Sequence, residues 1–286
     1  MRSDTVLANK ILNELAPLST FKKKQELMII VAKRLLDTPY FAGTLEGGEK
    51  EELRVFLHKT DCILFVETCL NLAQASKEYG RGADFLSFAN LVRESRYRNG
   101  VVENYSDRIH YTTEWIRQNE GRGLIKDITE ELGGVEYNHP IFFMTKNFER
   151  YEQLKQKLLY ERLLADCIKS GVDTSGVVLE GQKSYQNYKK IKEVEEQLNA
   201  KPFYYIPQED IPSIEHKIKS GDIICFMSGV EGLDIAHVAL AYVQRGKVGF
   251  IHASMGAMKV VIDSKSIYEY VKSSKSITGI KVVRPL

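Results

Sequence analysis

Three side chains in the sequence are of the types that covalent catalysis needs. Cys62 opens the segment "DCILFVETCLNLAQ", and His237 and His252 stand in two neighbouring runs, "DIAHVALAYV" and "VGFIHAS", that are otherwise almost wholly apolar. A thiol attacks a carbonyl well only as thiolate, and free cysteine titrates at about 8.5. The positive end of a helix and a nearby imidazole both favour the thiolate. Backbone N–H groups at the same helix start can hold an oxyanion. A second imidazole can orient the first, as the third group of a triad does. Burying an imidazole without a partner costs about 1–3 kcal/mol, so two of them in apolar runs call for a reason. The plainer alternatives are a packed small hydrophobe at Cys62 and, on each run, a core histidine bonded to backbone.

The segment after Cys62 has the period of a helix. Cys62, Phe65, Val66, Cys69, Leu70 and Ala73 recur at three- and four-residue spacing and make an apolar stripe. Thr60 or Asp61 is a natural N-cap just ahead of it. The two histidine runs have the pattern of a β-hairpin closed at Arg245-Gly246. With a two-residue turn, Gln244 faces Lys247, Val243 faces Val248 and Ala239 faces His252. Side chains alternate along a strand, so His237 shares the face of Ala239 and stands diagonal to His252, roughly 7–8 Å away at Cα. A turn one residue longer would move one histidine to the other face. Cys62 meets this pair if its helix lays the apolar stripe on the sheet.

Elsewhere, apolar residues recur at helical spacing over 4 to 36 with a break near "APLST". The stretches 82 to 98, "IHYTTEWIRQN", 146 to 170 and 185 to 199 read as further helices. From Lys201 onward the runs "FYYI", "DIICFM", "KVVID" and "GIKVVRPL" are short and β-rich, and with the hairpin they predict an antiparallel sheet. Helices first and sheet afterwards indicate an α+β fold, a single domain over 1–286 with a helical part to about residue 200 and a β-rich part from about 201. Lys plus Arg number 40 against 38 Asp plus Glu. That near balance, with no basic run interleaved with aromatics, speaks against a nucleic-acid partner. No apolar run reaches the roughly 20 residues of a membrane span. The four cysteines, Cys62, Cys69, Cys167 and Cys225, make neither a CxxC nor a disulfide framework. His58 and Cys62 stand four apart and would share a helical face, but two ligands are a weak metal signal. The expectation is no metal and no cofactor.

The ordered set "PYFAGTLE", "DCILFVETCLNLA", "RYRNGV", "YSDRIHYTTEWI", "GDIICF", "GLDIAHVALAY" and "FIHAS" resembles the NlpC-type papain-like cell-wall cysteine hydrolases. Within them it is similar to a branch, once a domain of unknown function, that contains N-acetylmuramoyl-L-alanine amidases. The resemblance runs from about residue 30 to the C-terminus. It implies a papain-like fold with a catalytic helix packed on the sheet, Cys62 as nucleophile, His237 as general base and then acid, and His252 as the orienting third member. The implied reaction cleaves the amide between the lactyl group of N-acetylmuramic acid and L-alanine. The implied partner is a soluble muropeptide or peptidoglycan fragment with a 1,6-anhydro sugar, released in wall turnover.

The same resemblance implies that Tyr40, Thr44 and Glu46 reach the cleft from one loop, and Ser106, Arg108, His110 and Trp115 from another. Arg108 suits a peptide carboxylate, Glu46 or Asp234 a peptide ammonium, and the aromatic faces a sugar; Ser254 is counted with them. Asp107 departs from the small residue that relatives carry before the arginine. Relatives usually carry an export signal; none is visible here, so the expectation is a periplasmic or exported protein whose leader was removed. The competing readings are an endopeptidase cutting after D-glutamate, a non-catalytic wall-binding module, and a metal-dependent hydrolase with His237, His252 and Cys62 as ligands.

Overall fold

The computed structural model describes residues 2–46, 50–146 and 175–286. The helical part begins with α1 (Arg2–Leu15), α2 (Lys24–Arg34), α3 (Cys62–Tyr79), α4 (Phe85–Arg96) and α5 (Thr112–Gly121). Its centre is α3. Asp61 caps it, the Oδ1 accepting from the Leu64 N–H at 2.9 Å, and Gly80 ends it at φ 54°, a backbone position that costs glycine little. The expected stripe is inside, but Leu64, Leu72 and Ala75 on other sides are buried too. The reason is coverage: α1, α2 and α4 pack on α3 while β5 and β6 pack on it as well.

The sheet holds eight strands among the described residues: β1 (Ile125–Asp127), β2 (Val135–Glu136), β3 (Tyr204–Pro207), β4 (Ile223–Ser228), β5 (Ile235–Gln244), β6 (Lys247–Ser254), β7 (Lys259–Ile262) and β8 (Ile277–Pro285). Their order is β2-β3-β8-β4-β5-β6-β7, with β1 also on β8. Every strand pairing is antiparallel, so the architecture is mixed α+β. β1 and β2 come from the helical part and join the same sheet; at three and two residues they are too short to carry a period. The helix Ser175–Asn199 covers the expected 185–199. The expected helix 146–170 lies outside the described residues from 147 onward. A short helix, Ile267–Ser273, has no counterpart among the expected elements.

The two faces of the sheet belong to two cores. Val238, Leu240, Ile251 and Ala253 share one with α3. Phe226, Ala239, Ala241 and Phe250 share the other with Ile211, Ile214, Ile267 and Val271. With both faces covered, β5 and β6 are apolar at almost every position instead of alternating. No helix among the described residues is long and apolar enough to cross a membrane.

Candidate active site

The β5–β6 ladder pairs Gln244 with Lys247, Val243 with Val248 and Leu240 with Ile251. Arg245 at φ 51° and Gly246 at φ 79° supply the two positive values of a tight hairpin turn. The register is the expected one, and the two histidines share a face. His237 Nε2 and His252 Nδ1 stand 2.7 Å apart, with the rings edge to face at 4.9 Å between centroids. Phe226 stacks on His237 at 5.7 Å, and Phe250 lies against His252 at 4.8 Å.

That face is not the one α3 covers. Counting along β5, Val238 and Leu240 point to α3 while His237 goes with Phe226 and Phe250. The expected meeting of stripe and histidines is therefore corrected: the stripe packs on the other face, and Cys62, the first residue of α3, shares a cavity lining with His237. The Val238 N–H, one residue past His237, reaches the Cys62 sulfur, as do the amides of Ile63 and Cys62 itself. A β-bulge between Phe226 and Met227 in the β4–β5 pairing brings Ala236 to the wall of the same cavity, a common use of bulges beside functional sites. The cavity, about 210 Å³, is lined by Cys62, Glu67, Arg96, Arg108, His110, Trp115, Ala236, His237 and Val238 among others.

Burial pushes the Cys62 thiol up to about 11, and the Asp61 carboxylate adds to this. That rise corresponds to about 3 kcal/mol against the thiolate, whereas a helix start typically returns only about 0.3–1 kcal/mol. Burial wins. The helix start favours the thiolate, as the sequence suggested, but burial keeps Cys62 a thiol in the free protein. Burial likewise takes His237 down to about 3, with His252 contributing. His252 is lowered by burial and partly lifted back by Asp263, whose Oδ2 stands 3.3 Å from Nε2. The site rests as a neutral thiol beside two neutral imidazoles.

The opposite wall is charged. Arg96 Nε donates to Glu67 Oε2 at 2.9 Å, both side chains buried. Arg108 Nη2 donates to Glu46 Oε1 at 2.8 Å, its guanidinium lies 5.0 Å from the centre of the Tyr105 ring, and its Nε faces Glu51 Oε1 at 3.6 Å, an ion pair buried on both sides. Arg108 and Glu46, set against opposite ligand charges in the sequence reading, hold each other in the free protein. His110 Nε2 meets the Tyr105 carbonyl at 2.9 Å; burial, then Arg108, brings it to about 3, so it too is neutral.

Residues 30–280 match the model of the AmiA-like family, described as N-acetylmuramoyl-L-alanine amidase-like. The chain belongs to that family. It is similar to a solved N-acetylmuramoyl-L-alanine amidase from Bacteroides uniformis, at 27% identity over 92% of this chain and 99% of that one, TM-score 0.75. A Bacteroides fragilis structure, described provisionally as a xylanase, is 29% identical over 88% and 98% of the two chains, TM-score 0.72. A Legionella pneumophila protein shares the fold at 21% identity, covering 100% and 96%, TM-score 0.65. No curated protein matches.

In this AmiA-like chain, Cys62, His237, Arg108, His110 and Trp115 line one cavity, with His252 behind His237. Tyr40 lies close enough for Cys62 and Asp61 to add to the upward push that burial gives its phenol. The others are placed differently. Asp234 is buried, its Oδ2 accepting from the Thr113 N–H at 2.7 Å at the start of α5, and it lies outside the cavity lining. Ser106 is buried, its N–H donating to Asn187 Oδ1; Ser254 Oγ accepts from Ala257 in the β6–β7 turn; Thr44 is outside the lining, its hydroxyl buried without a partner. Asp107 accepts from the Asn104 N–H at 2.7 Å, a local turn contact that leaves Arg108 free to enter the cavity. His58 precedes α3 and pairs with Asp4 at 2.7 Å, so it shares no helical face with Cys62. Cys62, Cys69 and Cys225 are free thiols, and Cys167 lies outside the described residues. No three His, Cys, Asp or Glu side chains among the described residues gather as metal ligands.

Sequence reasoning missed Glu67, Arg96 and Asp263. Glu67 did leave a signal: it is the first charge inside the uncharged run after Cys62. Asp263 left none, because only the fold brings it to His252.

Proposed function

We propose that this chain is a cysteine-dependent N-acetylmuramoyl-L-alanine amidase of the papain-like, NlpC type. It cleaves the lactyl–L-alanine amide of 1,6-anhydro-muropeptides during peptidoglycan turnover, outside the cytoplasm. The observation that carries this is the His237–His252 pair, 2.7 Å apart, with His237 in the same cavity as a cysteine at a helix start.

His252 engages Nε2 of His237, which leaves Nδ1 as the nitrogen for the thiol proton. The proton moves to Nδ1 as the sulfur attacks the lactyl carbonyl, so the two charges form together, in keeping with a neutral resting pair. The amides of Cys62 and Ile63 beside the sulfur are donors for the oxyanion. When the C–N bond breaks, His237 returns the proton to the departing L-alanine nitrogen. Water, deprotonated by His237, then cleaves the thioester, releasing the sugar acid and the thiol. Arg108 takes a stem carboxylate in exchange for Glu46, which is half exposed and free to leave.

A glycoside hydrolase needs two carboxyl groups facing each other across the scissile bond. Glu67 is the one carboxylate in the described cavity lining, and Arg96 holds it, so the xylanase description of one neighbour finds no support here. The test is incubation of wild type and Cys62→Ala with 1,6-anhydro-N-acetylmuramyl-tripeptide, read by mass spectrometry. Free anhydro-sugar plus intact tripeptide from wild type alone is expected. A shortened stem would make the protein an endopeptidase, and untouched substrate would remove the amidase reading.

A further inference from the structure

We infer that Asp263 is a positioning residue that sets which nitrogens of His237 and His252 carry protons, and so makes His237 a competent base for Cys62. The catalytic consequence rests on the proposed cysteine mechanism; the protonation pattern itself does not.

At 2.7 Å, the two facing nitrogens share one proton, one donating and the other accepting. Two patterns satisfy this. In the first, His237 donates from Nε2, its Nδ1 is bare, and His252 carries its proton on Nε2. In the second, His252 donates from Nδ1, its Nε2 is bare, and the proton of His237 sits on Nδ1, where it blocks acceptance from the thiol. The choice falls to whatever faces the far nitrogen, Nε2 of His252. That atom is buried and has no aligned hydrogen-bond partner; the group beside it is the Asp263 carboxylate, Oδ2 at 3.3 Å. An ionised carboxylate only accepts. It attracts the N–H of the first pattern and repels the lone pair of the second.

Asp263 is itself held for this task. Its N–H donates to the Phe250 carbonyl at 3.0 Å, and its Oδ1 accepts from the Lys265 N–H at 2.8 Å, which leaves Oδ2 for His252. The Lys265 ammonium turns away to Ser273 Oγ at 2.9 Å. Phe226, Phe250 and the Tyr270 ring close the other sides of the imidazole pair, so the carboxylate is the polar group that faces Nε2 directly.

This arrangement makes an unusual demand of the isosteric variant. In Asp263→Asn the Lys265 N–H still needs the side-chain oxygen, so the amide NH2 is turned toward His252 and donates to Nε2. That enforces the second pattern. Asp263→Ala enforces neither and leaves a mixture. The isostere is therefore the more damaging change, the reverse of what a merely structural role predicts.

The experiment uses the full chain as wild type, Asp263→Asn and Asp263→Ala. Imidazole nitrogen NMR assigns the protonated nitrogen of His252 in each, and kcat and KM are measured on 1,6-anhydro-N-acetylmuramyl-tripeptide. Expected are Nε2–H in wild type, Nδ1–H in Asp263→Asn, and a mixture in Asp263→Ala. In parallel, kcat falls about tenfold in Asp263→Ala and about 10²–10⁴-fold in Asp263→Asn, where the base is in the wrong form, with KM within about twofold. An unchanged pattern in Asp263→Asn, or Asp263→Asn turning over faster than Asp263→Ala, overturns the inference. Should Asp263→Asn not fold, a lone Nε2–H signal in Asp263→Ala overturns it equally. A wild type with the expected pattern but no turnover upholds the inference and removes the amidase reading.

Discussion

Alkylation of Cys62 by iodoacetamide, followed from pH 6 to pH 10, tests the resting state of the site directly. With burial and Asp61 placing the thiol at about 11, the thiolate at pH 7 is about one molecule in ten thousand, against a few per cent for a free cysteine. The modification rate at Cys62 should then climb about tenfold per pH unit across the whole range, with no plateau. The slope is the diagnostic quantity, because a high-pKa thiolate is intrinsically more nucleophilic and raises the absolute rate by an order of magnitude or so. Peptide mapping by mass spectrometry separates Cys62 from the other three cysteines; Cys69 and Cys225 are buried and should lag. Adding a substrate analogue that moves the thiol proton to His237 should flatten the slope. A rate that levels off below pH 7 in the free protein would mean a preformed thiolate–imidazolium pair. It would refute the claim that burial outweighs the helix start.

Three further outcomes follow from the cavity wall and the buried histidines. Arg96→Met leaves Glu67 as a buried charge without its partner and should cost about 3–5 kcal/mol; urea denaturation should show most of it restored when Glu67→Gln is added, and no recovery would mean the pair is not what holds that wall. Glu46→Gln removes the half-exposed partner of Arg108 and leaves the buried one, Glu51, so stability should move by less than about 1 kcal/mol while KM falls, the Nη2 side of Arg108 being open to a ligand carboxylate; a raised KM would put Glu46 on the ligand itself. His110 titrates near 3 when folded and near 6.5 when unfolded, so between those values the unfolded chain binds a proton that the native state refuses. Its contribution is present above about pH 6.5 and is lost as pH falls toward 3, at about 1.4 kcal/mol per unit. In His110→Phe the slope of stability against pH in that window should drop by about that amount, and an unaltered slope would show that His110 is not neutral in the fold.

The histidine pair was legible because the hairpin is local: a two-residue turn fixes every partner along β5 and β6, and counting puts both imidazoles on one face, where the structure brings them to 2.7 Å. The cap at Asp61 was legible for the same reason, since the helix start lies within three residues of it. What failed was reading a face. The stripe on α3 suggested one packed side, yet Leu64 and Leu72 are buried as well, and β5 is apolar on both sides because two cores flank the sheet. An element buried all round carries no period to say which neighbour meets which face. The same two-sided burial is what the sequence-level electrostatics missed. Residue types give the sign of a helix end, but not the depth of burial that takes the Cys62 thiol upward and His237 downward. Arg108 with Glu46, 62 positions apart, and His252 with Asp263, on different elements, are likewise products of tertiary closure. Each charge at this site therefore takes its role from the partner that closure assigns. For the cysteine mechanism proposed above, a neutral resting site has a physical consequence: charge separation would be deferred until a carbonyl sits between the Cys62 sulfur and the helix-start amides, where those amides would stabilise the charge as it forms.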